Sequence, residues 1–99
     1  MYLLIDDVRN FHCDIIARTA EAGKKILTFL HKDIDCLGID HDLGGAETGY
    51  DIVVWALQQS FLPNRVQIVT MNPVGRKAME SLLIEQGYVH SEGTFVKGE

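Results

Sequence analysis

Tyr2-Leu3-Leu4-Ile5-Asp6-Asp7 sets a short, continuously apolar run directly against two carboxylates. A run with no polar alternation suits a central parallel strand buried on both faces, and its acidic stop marks the strand's carboxyl edge. The pattern returns at Cys36-Leu37-Gly38-Ile39, which runs into Asp40-His41-Asp42 and the turn-rich Leu43-Gly44-Gly45-Ala46-Glu47. Two strands of this kind, each delivering acids at the same end, decide the fold class.

The intervening segments supply the rest of an α/β alternation. Asp14 to Arg18 reads as a weaker strand, and Thr19 can cap a helix that carries Ala22, Ile26, Phe29 and Leu30 on one face and ends near Lys32. Thr48-Gly49-Tyr50-Asp51 has the form of a capping box with Asp in place of Glu or Gln. It opens a helix of about Gly49 to Gln59, apolar on several sides through Ile52, Val53, Val54, Trp55 and Leu57, which predicts deep burial or a self-association surface. A fourth strand falls on Val66 to Thr70. Asn72 and Pro73 then fit the N-cap and first position of a helix with Val74, Ala78, Met79, Leu82 and Leu83 inward, stopping at Gly87. A last strand lies in Tyr88-Val89-His90, in Thr94-Phe95-Val96, or in both as a hairpin around Ser91-Glu92-Gly93. Strands alternating with helices of this length predict a parallel sheet covered by helices.

Ninety-nine residues, 46% hydrophobic and 23% charged, make a single domain over residues 1–99 with one hydrophobic core. No apolar run reaches the roughly 18 residues a spanning helix needs, and the apolar start has neither a basic flank nor a cleavage site, so no membrane role and a cytoplasmic location are expected. Cys13 and Cys36 lack C-x-x-C spacing and read as free thiols. A net charge of −5, with nine scattered Lys and Arg, excludes an extended nucleic-acid footprint. A small phosphorylated ligand or a nucleic-acid end stays open as a partner, as does a homodimer or another protein.

In open parallel sheets ligands bind outside the carboxyl ends of the strands. That edge collects Asp6 and Asp7 from the first strand, Asp40, His41 and Asp42 from the third, and Thr70 and Asn72 from the fourth; His90 or Lys97 can arrive from the last. Converging carboxylates repel unless a cation sits among them, and hard oxygen ligands favour Mg²⁺ or Mn²⁺, with Asp6, Asp7, Asp40 and Asp42 as the candidate set. His41 is a candidate acid or base, or else it faces the other side and bonds locally. Asn72, Gly75 and Arg76 open a helix, where free N–H groups and a forked guanidinium suit phosphate.

Paired acids after strand one, an acid ending strand three and a hydroxyl ending strand four make the chain similar to the receiver domain of two-component signalling. The resemblance implies a flavodoxin- or receiver-like sheet of order 2-1-3-4-5, with the first helix reduced or missing because the segment after strand one is short. It also implies Asp7, Asp40 and the backbone carbonyl of Asp42 as metal ligands, Asp40 as phosphoacceptor and Thr70 as switch hydroxyl. Asp6-Asp7-Val8-Arg9, Asp40-His41-Asp42-Leu43-Gly44, Thr48-Gly49-Tyr50-Asp51 and Asn72-Pro73-Val74-Gly75 together more closely resemble the stand-alone cyclic-phosphate-processing receiver group. That implies metal-dependent binding or processing of cyclic-phosphate ends or nucleotides, with Asp40, His41 and Thr70 as catalytic candidates. A histidine often precedes the strand-four hydroxyl in that group, and Val69 stands there in this chain. The alternatives are a phosphoacceptor switch on Asp40 and a non-catalytic protein-binding or inhibitor domain.

Overall fold

The computed structural model describes residues 1–98. In chain order the elements are β1 (Tyr2–Ile5), β2 (Ile15–Ala17), α1 (Ala20–Leu30), β3 (Cys36–Ile39), α2 (Gly49–Gln59), β4 (Arg65–Ile68), α3 (Pro73–Glu85), β5 (Tyr88–Ser91) and β6 (Thr94–Lys97). They form one six-stranded sheet in the order β2-β1-β3-β4-β6-β5. β1 through β4 pair in parallel, with Leu3 opposite Leu37 and Leu37 opposite Val66. The segment between β1 and β2 holds no helix, as its length predicts, and among the described residues no helix is long and apolar enough to cross a membrane.

The fifth position is filled by a hairpin. β6 lies antiparallel beside β4 and β5 covers its outer edge. Glu92 and Gly93 both take positive φ, 51° and 81°, the two-residue turn whose twist matches that of the flanking strands. Reversing the last strand moves its chemistry. Lys97 ends at the amino end of β4, where its N–H donates to Asn64, and His90 stacks on Phe95 on the exposed edge. Neither reaches the carboxyl edge.

The core forms on one side of the sheet. Leu3, Ile5, Leu37, Ile39, Val66, Ile68 and Phe95 alternate onto the face that also receives Leu27 of α1, Ile52, Val53 and Ala56 of α2, and Met79 and Leu83 of α3. Gly23 of α1 abuts Ile5, so a Cβ there would stand 2.6 Å from Ile5 Cδ1 and hold the helix off the strand. The opposite face carries Leu4, Gly38 and Gln67, with the Tyr2 ring across Gly38 and its hydroxyl donating to Gln67 Oε1 at 2.6 Å.

Helix phase differs from the expected reading at two places. Phe29 is 81% exposed, because Gly23 and Leu27 define the buried line of α1 and Phe29 lies about 200° beyond Leu27. In α3 the buried line is Gly75, Met79 and Leu83, which leaves Val74 and Ala78 in solvent. A glycine at the head of that line carries no apolar signal and so hides the phase. The helix α2 is buried through Ile52, Val53 and Ala56, with Trp55 and Leu57 packed at its margin.

Candidate functional site

Asp6 follows β1 and is fully buried; Asp40 follows β3 and is 5% exposed. Buried carboxylates persist only when bonded or paired. Asp6 Oδ1 accepts the amides of Val8 at 2.9 Å and Arg9 at 2.8 Å, folding the chain back over the strand end as an Asx-type turn does. Asp40 Oδ1 accepts the amide of His41 at 2.8 Å. Each carboxylate is thus fixed by one oxygen. The other two, Asp6 Oδ2 and Asp40 Oδ2, converge on Arg9 Nη1 at 3.0 and 3.1 Å. Asp7 is exposed and adds a third carboxylate, so that one oxygen from each of Asp6, Asp7 and Asp40 lies within 4.8 Å of the others.

Burial alone would raise the pKa of Asp6, but the Arg9 and Val8 amides and the Arg9 guanidinium outweigh it and hold the carboxyl below its ordinary value. Hydrogen bonding to Asp6, with further attraction from Asp40, raises Arg9 in turn. The donor set is all carboxylate oxygen and has already drawn in a cation from its own chain. Three clustered carboxylates of this kind can coordinate a hard divalent ion such as Mg²⁺ or Mn²⁺.

Asp42 stands apart from the triad. Its side chain is exposed and accepts from Asn72 Nδ2 at 3.3 Å, linking the β3 loop to the head of α3. The first turn of α2 pins the same loop, for Gly49 N donates to His41 O at 2.8 Å. A Cβ on Gly49 would overlap the carbonyl oxygen of Asp40. Thr48 and Asp51 form the expected capping box, which sets where that turn begins.

Thr70 is buried just past β4, and its Oγ1 accepts the amide of Asn72 at 3.1 Å. Asn72 Oδ1 in turn caps α3 by accepting from Val74 and Gly75, each at 3.0 Å. The Gly75 amide is therefore committed to the cap. Arg76 Nη2 donates to the carbonyls of Ile68 at 2.9 Å and Thr70 at 3.0 Å, clamping the end of β4. His41 lies against Gly75, where a Cβ would overlap its ring. Its Nδ1 is buried with no partner among the described residues, which leaves Nε2 as the nitrogen in reach of solvent.

The model for the cyclic-phosphate processing receiver domain matches residues 1–85. The chain belongs to this family. The match runs from β1 to the end of α3, so the hairpin lies beyond it. No curated protein and no solved structure shows a significant match.

Set on the receiver scaffold, the site has one residue that its sequence pattern did not single out. Neither His90 nor Lys97, the two last-strand candidates, lies at the carboxylates; the cation there is Arg9. The available signal was the spacing Asp6-x-x-Arg9, since an aspartate that accepts the amides of the next two or three residues turns the third one back toward its own carboxylate. Arg18 steadies this turn. Its Nη1 donates to Arg9 O at 2.6 Å and its Nη2 to Asn10 Oδ1.

Proposed function

We propose that this receiver domain binds a divalent cation at Asp6, Asp7 and Asp40 and uses it to bind, and in the presence of a suitable substrate to open, a cyclic-phosphate end of a nucleotide or nucleic acid. The observation that carries this reading is the convergence of Asp6 Oδ2 and Asp40 Oδ2, each held by bonds to the other oxygen of its carboxylate. A divalent ion bound there would polarise a phosphoryl oxygen and lower the pKa of an attacking water.

The chain's own groups take the remaining roles. Thr70 Oγ1 keeps its hydrogen free while it accepts from Asn72, so it can donate to a phosphate oxygen at the end of β4. Asn72 links Asp42 to the α3 cap and orders the two loops that flank the ligand. Arg76 acts through the carbonyl of Thr70 and is a positioning residue. His41 exchanges a proton through Nε2, with the ring held by Gly75. Room for the rest of a ligand adjoins the acids. A cleft of about 320 Å³ runs between Thr19–Glu21 and the loop from Leu43 to Glu47, and Gly44 in that loop borders Asp7.

Incubation with 2′,3′-cyclic nucleotides and Mg²⁺ tests catalysis. Opening to a monoester, lost in Asp40→Asn, is the expected result. Unchanged substrate at high protein concentration, with binding retained, would reduce the function to recognition of the phosphate end.

A further inference from the structure

Arg9 Nη1 bridges one oxygen of Asp6 and one of Asp40, two of the three carboxylates of the candidate cation cluster. Asp6 Oδ1 accepts two backbone amides and Asp40 Oδ1 accepts one, which leaves Asp6 Oδ2 and Asp40 Oδ2 as the oxygens with no backbone donor and the more open to a metal. Those are the atoms at 3.0 and 3.1 Å from Arg9 Nη1. A metal held by the same two oxygens on the side where Arg9 Nη1 lies would have to take the place of that nitrogen. We propose that Arg9 is an exchangeable internal cation: it neutralises the pocket before metal arrives, is displaced by the metal, and then donates its freed fork to the phosphate oxygens of the ligand.

The tether makes the second half of this exchange possible. Arg9 N stays bonded to Asp6 Oδ1 at 2.8 Å and Arg9 O to Arg18 Nη1 at 2.6 Å, so displacement moves the side chain and leaves the backbone in place. The side chain is 24% exposed, with solvent on one side into which it can swing. A released guanidinium at the rim of a metal-bearing pocket carries five donors, in a geometry matched to phosphate, and no carboxylate to hold them. This inference rests on the metal reading above and adds the order of events.

Calorimetry on the wild type and Arg9→Ala tests it, with Arg9→Gln as a second variant that keeps a polar stem. The two halves predict effects of opposite sign. Without its internal competitor the variant binds Mg²⁺ about tenfold more tightly, the size expected for a lost charge-assisted hydrogen bond. The gain persists in about 1 M salt, where the Debye length falls to roughly 3 Å and general field effects are screened. Once loaded with Mg²⁺, the same variant binds inorganic phosphate about tenfold more weakly. Equal or weaker Mg²⁺ affinity in both variants overturns the exchange while the metal site stands. Unchanged phosphate affinity overturns the donor role. No Mg²⁺ binding to either protein removes the metal reading itself, and the exchange with it.

Discussion

The imidazole of His41 occupies the space that a side chain at position 75 would need, so the head of α3 and the loop after β3 meet only because residue 75 is glycine. Gly75→Ala should therefore expel the ring and cost about 1–3 kcal/mol in denaturant unfolding, the usual range for overpacking. In a His41→Ala background the same substitution should cost much less, because the clash has been removed. A double-mutant cycle measures the difference, and equal costs in both backgrounds would show that the ring is not the obstacle.

Gly49 meets a harder obstacle, the carbonyl oxygen of Asp40, which cannot turn aside as a side chain can. Gly49→Ala should destabilise the protein by about 3 kcal/mol. Gly45, with nothing within 4 Å of its would-be Cβ, is the control: Gly45→Ala should fall within about 0.5 kcal/mol of the wild type by the same urea titration.

Arg76 bonds two carbonyls at the end of β4, and its loss would leave both to find new donors. Arg76→Ala should lower stability by about 1–3 kcal/mol, and thermal unfolding reads this directly. Arg76→Lys should recover only part of the loss, since one ammonium cannot reproduce the fork.

Alkaline pH has a defined effect. Burial raises both Tyr2 and Tyr88 to about 12, and the Tyr88 hydroxyl donates to Pro63 O at 2.7 Å. A phenol whose pKa is higher folded than unfolded contributes stability that is complete below the unfolded value of 10.0 and is lost as pH rises toward 12. Ultraviolet absorbance should show these two phenolates forming near pH 12 in the native protein, with stability falling over the same window. Ionisation of both near pH 10 without unfolding would contradict it.

Much of the fold was legible because its signals are local. The acids closing β1 and β3, the Thr48–Asp51 box and the Asn72-Pro73 start each declare themselves within a few residues. The alternation of strands with helices predicted a parallel sheet, and the resemblance to receiver domains implied the order of its parallel strands. What escaped depends on distant partners. Whether the final strand runs parallel or antiparallel to β4 is set by pairings such as Val66 with Phe95, 29 positions apart in the chain. Arg9 meets Asp40 across 31 positions. Asp42 reads as a fourth acid of the cluster, yet a partner at Asn72, invisible in the local pattern, draws it aside. Phe29 and Val74 look inward by composition, and only the small residues Gly23 and Gly75, each on the buried line of its helix, reveal the true packing lines.

The central claim is that the acids after β1 and β3 form a divalent-cation site, and calorimetric titration of Mg²⁺ and Mn²⁺ into the wild type and Asp40→Asn tests it most directly. The substitution keeps the oxygen that accepts the His41 amide, so the variant should fold while losing the charge on the oxygen that faces Arg9. The account predicts saturable binding to the wild type, weakened at least about tenfold in the variant. Absence of binding to the folded wild type, or equal binding by both proteins, would contradict it.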